Sequence, residues 1–82
     1  MDALICTAVV TREDDQFVAL CLEFDMASEG NSAEAAVANL RGAVELFLET
    51  ADADETARRR RAVVRVTSFI AQGPVATGHV AD

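Results

Sequence analysis

The stretch SAEAAVANLRGAVELFLET, residues 32–50, decides how the rest of this chain is read. Its strongly apolar members Val37, Leu40, Val44, Phe47 and Leu48 recur at three- and four-residue spacing, with Ala36 and Ala43 flanking the same stripe. That spacing predicts an amphipathic helix from Ala33 to about Thr50. Asn31 or Ser32 is placed to cap it, because a side-chain oxygen there accepts from an otherwise unpaired N–H of the first turn. Glu34, Arg41, Glu45 and Glu49 fall on the opposite, solvated face.

Upstream, Ala3 to Val10 is a short apolar run with β-branched members, ended by the polar cluster Thr11 to Gln16, and Phe17 to Glu23 repeats the pattern. Two antiparallel strands joined by a connection of about five polar residues are predicted. Pairing Glu13 with Gln16 puts Leu4, Cys6, Ala8, Val10, Phe17, Ala19 and Cys21 on one face and Ile5, Val9, Val18, Leu20 and Leu22 on the other. Both faces are apolar. One helix cannot cover both, so burial of the second against another chain, in a homo-oligomer, is expected. A third short strand is expected at about Phe24 to Ser28, followed by a turn in which Gly30 allows a positive φ.

Downstream, residues 51–57 read as a polar helix end or linker. From Ala62 to Ala71 valines alternate, with Val64, Val66, Ser68 and Ile70 on one side and Val63, Arg65, Thr67 and Phe69 on the other, which predicts a last strand. Gly73-Pro74 then ends the pattern. The expected architecture is α+β: a small antiparallel sheet with one amphipathic helix across it, in the order β-β-β-α-β. Its bounds are a domain over residues 1–71 and a flexible tail over 72–82.

At 82 residues there is room for one small core, and a domain this short hides only about 60 to 65% of its unfolded surface, so a partner would help it. The formal charge is −7, with fourteen acids, seven arginines and no lysine, which argues against a general nucleic-acid binder. The layout is uneven: residues 1–57 hold thirteen acids and two arginines, and residues 58–82 hold five arginines and one acid. No signal-peptide pattern and no membrane-length apolar run is read, and the cytoplasm is the expected compartment.

Glu13, Asp14 and Asp15 lack the ligand spacing and glycine of a calcium loop, and turns favour such residues anyway. Cys6 and Cys21 have no CxxC motif and sit in apolar runs as small core residues do. His79 has no triad-like neighbour. No catalytic residue, metal site or cofactor is expected, and the chain reads as a non-enzyme. The run Arg58, Arg59, Arg60, Arg61 reads first as an intramolecular offset to Asp52, Asp54 and Glu55, then as an intersubunit contact, and last as a nucleic-acid contact.

The hairpin with its acidic turn, the segment Gln16–Glu23, the turn Ser28–Ser32 and the helix Ala33–Glu49 together resemble the HicB antitoxin family, over about residues 4–50. Ala36, Asn39, Leu40, Ala43, Val44, Glu45, Leu46, Phe47 and Leu48 match the family's helix pattern, with Glu34 one residue off. The family's proline- and cysteine-containing segment after the second strand is replaced by Glu23 to Ala27. The resemblance implies a partial ribonuclease H fold and binding of a HicA-type toxin, a small basic mRNA-cleaving protein. An acidic chain suits such a partner. The partner-binding residues expected are Asp14, Asp15, Glu23, Asp25, Glu45 and Glu49. The resemblance implies a short member without a C-terminal DNA-binding domain. The alternative is a solitary HicB-like oligomer with a structural or regulatory role and no toxin.

Overall fold

The computed structural model describes residues 3–74. Three strands, β1 (Ala8–Glu13), β2 (Gln16–Cys21) and β3 (Met26–Gly30), form an antiparallel sheet in the order β1-β2-β3. Two helices follow, α1 (Ala33–Thr50) and α2 (Ala53–Arg59). The α+β class expected from the sequence is the one observed.

Glu13 pairs with Gln16 and Ala8 with Cys21, the register set by the alternation of apolar residues. The connection is shorter than expected: only Asp14 and Asp15 lie between the strands, and Asp14 takes the left-handed conformation at φ 55°. Polarity misplaces the boundary because β1 is an exposed edge strand, and such a strand takes polar residues as readily as a loop does. The third strand begins at Met26 instead of Phe24. Phe24 lies in the turn before it, and its ring is buried in the core.

Helix α1 runs over the predicted residues. Ser32 is its cap, the Ser32 hydroxyl accepting from the Ala35 N–H at 3.0 Å. Asn39 donates from Nδ2 to the Glu29 carbonyl at 2.8 Å and fastens the helix to β3. The core is small: Ala19, Cys21, Phe24, Ala36, Leu40 and Val44 are buried, with Phe17, Met26, Val37, Phe47 and Leu48 packed around them. Phe24 and Phe47 meet at 5.6 Å between ring centroids.

Gly30 does not have the positive φ expected of it. The structural need is close approach, since a Cβ there would stand 2.5 Å from the Ala36 nitrogen and 2.8 Å from the Ala35 carbonyl carbon. The glycine lets the end of β3 pass directly beneath the first turn of α1.

Two features downstream depart from expectation. Residues 53–59 form a second helix, capped by Asp52, whose Oδ1 accepts from the Glu55 N–H at 2.8 Å. Asp54 and Glu55 in its first turn and Arg58 and Arg59 in its last complement the helix dipole. The strand expected over 62–71 is absent: the segment is unpaired, and nearly all of it is exposed. A strand is completed by its neighbour's hydrogen bonds, and among the described residues this segment has none. The expected tail, 72–82, lies mostly outside the described residues, as does His79.

Candidate functional site

Three places in the molecule bear on function: the dispersed acidic residues, a polar knot around Glu23, and an open groove beside β1.

Of the six acids expected to meet a partner, Asp14, Asp15, Asp25, Glu45 and Glu49 are exposed. They do not form one patch. Asp14 and Asp15 occupy the hairpin tip, whereas Asp25 lies past the other end of β2, a strand of six residues or about 20 Å. Glu45 and Glu49 belong to the C-terminal half of α1, the half that meets Phe24.

Glu23 behaves differently. It is only 5% exposed, and its carboxylate is used inside the molecule. Oε1 accepts from the Thr7 N–H at 2.7 Å, Oε2 accepts from the Thr7 hydroxyl at 2.8 Å, and the Cys21 thiol lies 3.7 Å from Oε1. Burial pushes the Glu23 carboxyl up, but the hydrogen bonds from Thr7, from its own backbone and from Cys21 outweigh that and hold it below the usual range. The Glu23 carbonyl also accepts from the Arg61 N–H at 2.7 Å, and the Leu22 N–H donates to the Thr7 carbonyl at 3.0 Å. Glu23 therefore ties together the chain before β1, the end of β2 and the chain after α2. Expected as a partner contact, it is a structural knot instead.

Cys6, Cys21 and Glu23 bring their ligand atoms within 4.8 Å of one another. Cys21 is buried as expected, but Cys6 is exposed rather than part of the core. Partial burial, the neighbouring Cys21 thiol and the Glu23 carboxylate raise the Cys6 thiol pKa, against a smaller opposite pull from Arg60. That opposes the thiolate a metal or a nucleophile would need. Three donors also fall short of the four of a structural zinc site, and the carboxylate here already accepts from Thr7.

The arginine run is divided by the fold. The Arg59 guanidinium lies 5.0 Å from the Phe47 ring centroid, and its Nη2 donates to the Phe24 carbonyl at 3.3 Å, which holds α2 against the core. Arg58, Arg60 and Arg61 are exposed.

The groove follows from where α1 sits. The helix packs mainly over β3 and β2, and only its flank reaches β1. An open space of about 970 Å³ is left between that flank and the chain entering β1, with Ala3, Leu4, Cys6, Thr7, Ala8 and Cys21 on one side, Leu40, Val44 and Leu48 on the helix side, and Arg41, Glu45 and Glu49 also lining it. Nothing in the sequence pattern marked it, since it depends on the lateral position of the helix.

No family model matches the chain, and neither a curated protein nor a solved structure shows a significant match to it. Among the described residues no helix is long and apolar enough to cross a membrane.

Proposed function

We propose that this chain is an antitoxin-type binding protein similar to the HicB family, acting in the cytoplasm to silence a small basic mRNA-cleaving toxin by covering its RNA-binding surface. The observation that carries this reading is the charge layout. Residues 1–57 hold thirteen acids against two arginines, and Asp14, Asp15, Asp25, Glu45 and Glu49 all stand in solvent. Carboxylates presented this way compete with RNA phosphates for a basic surface and raise the rate of encounter with it. The helix pattern through Asn39, Leu40, Ala43 and Val44 is what links the chain to that family in particular. Binding rather than catalysis fits the dispersal of the exposed acids, with Asp14 and Asp15 at one end of β2, Asp25 at the other, and Glu45 and Glu49 on α1.

The test is to look for a small basic reading frame beside the gene and, where there is one, to co-express it with this protein, following growth and co-purification. Rescue of arrested growth together with a salt-sensitive complex is expected, and the charge reversals Glu45→Arg and Glu49→Arg should weaken that complex without unfolding the chain. The absence of a toxic neighbour, or a toxic one that neither binds nor is silenced, overturns the reading. The remaining function is then that of a solitary oligomer, for which the segment after α2 is the relevant observation.

A further inference from the structure

The segment 62–74, the arm, poses a physical problem that the described residues of one chain do not solve. Val64 is 94% exposed, Phe69 88% and Ile70 89%, with Val66 exposed beside them. Among the described residues, no backbone hydrogen bond joins 62–74 to the sheet after the Arg61 N–H has met the Glu23 carbonyl. The segment stands away from the body: the radius of gyration is 15.5 Å and the extents are 48 × 28 × 16 Å, against about 12 Å expected for a compact domain of this length. An alternating, valine-rich stretch with open backbone groups is half of a strand pairing.

The other half is on the same molecule. Among the described residues the outer edge of β1 is unpaired, and at its N-terminal end, where the chain leading into β1 passes α1, lies the groove of about 970 Å³. A strand added at that edge continues the sheet, and every second side chain then turns toward the helix. The arm has an apolar side for that purpose: Val64, Val66 and Ile70, with only Ser68 between them. The arm itself carries a single charge, Arg65, on the side opposite Val64, Val66 and Ile70, so its apolar side meets the groove without a charged residue.

We propose that the arm of one chain pairs with the β1 edge of a second copy, filling its groove, while the second copy's arm does the same in return. The exchange is isologous and closes as a two-fold dimer, so the β1 edge and the arm of each copy are both satisfied. It also enlarges a core that in one chain consists of six buried residues, most of them small. The occupant is a second copy because the arm leaves its own body at Glu23 and presents its apolar side to solvent. The proposal stands apart from the antitoxin reading, since it requires no toxin.

The test is sedimentation of the full chain alone under reducing conditions, with the variants Val64→Glu and Ile70→Glu. A mass twice the 8.7 kDa of the chain is expected. Each variant should weaken association at least about ten-fold and leave a monomer near 10 µM, with the far-ultraviolet dichroism of the body retained. Dimers made from differently isotope-labelled chains should show nuclear Overhauser contacts between the arm of one and β1 of the other. A wild-type monomer at high concentration, a dimer indifferent to both variants, or arm-to-β1 contacts confined to one chain would overturn the proposal. A dimer that passes these tests but neutralises no toxin overturns only the antitoxin reading.

Discussion

The body formed by the sheet and α1 and the arm after α2 use the same kinds of residue to opposite effect. In the body, Phe24, Leu40 and Val44 are buried, whereas in the arm Val64, Phe69 and Ile70 are almost fully exposed. Side-chain hydrophobicity is comparable, so it is not what separates them. The difference is the neighbour. Strands β1, β2 and β3 find theirs within a few residues, and α1 then covers two of the three. The arm finds none among the described residues of its own chain, so its apolar residues add nothing to the core of the body.

The sharpest way to break this comparison is to truncate one phenylalanine in each region. Phe24→Ala empties the centre of the core and removes the ring packed on Phe47, so urea denaturation should show a loss of about 3–5 kcal/mol at any protein concentration. Phe69→Ala should change the stability of the monomer by less than about 0.5 kcal/mol, because the ring already lies in water. A large loss for Phe69→Ala in dilute monomer would mean that the arm packs on its own body. The next effect is that of Gly30→Ala. The added methyl meets backbone atoms of Ala35 and Ala36 that cannot move without shifting α1, so about 1–3 kcal/mol should be lost in thermal denaturation.

The two regions also differ in how far the sequence discloses them. The bounds of α1 and the Glu13–Gln16 register are legible because each rests on a short-range period that one chain satisfies alone. Alternation across 62–71 is equally clear, yet it specifies strand propensity without a partner, and propensity alone leaves the segment unpaired. Helix α2 is hidden for another reason. It buries no residue, so no apolar period marks it, and its sequence signals are the Asp52 cap and the charges at its ends. At the candidate site, the exposure of Asp14, Asp15, Asp25, Glu45 and Glu49 follows from their type. The withdrawal of Glu23 depends on Thr7, sixteen residues away, and composition does not disclose that pairing.

Glu23 joins the two regions, and pH tests the joint. Its folded pKa lies below the ordinary carboxylate value of 4.5. The stabilisation is therefore fully present above that value and is lost as pH falls through the lower, folded value. Stability measured from pH 7 downward should decline below about pH 4.5 in the wild type, and this component of the decline should vanish in Glu23→Gln. At neutral pH the same substitution should cost about 1–3 kcal/mol, since it weakens charge-assisted bonds to Thr7 in a buried place. An unchanged acid profile would remove Glu23 as the knot.

The smallest expected effect separates the regions at the level of a single hydrogen bond. Ser32 and Asp52 cap α1 and α2 in the same way, each accepting from the N–H three residues on, at 3.0 Å and 2.8 Å. Ser32→Ala should destabilise the whole body by about 1 kcal/mol, because α1 supplies Ala36, Leu40 and Val44 to the core and cannot fray without exposing them. Asp52→Ala breaks an equivalent bond on a seven-residue helix with no buried residue, so global stability of the monomer should change by less than about 0.5 kcal/mol. The loss should appear instead as faster amide exchange over residues 55–60, where opening is local. If Asp52→Ala lowers the global midpoint as far as Ser32→Ala does, α2 folds as one unit with the body. The contacts of Arg59 with Phe47 and Phe24 would then couple the base of the arm to the core more tightly than burial alone indicates.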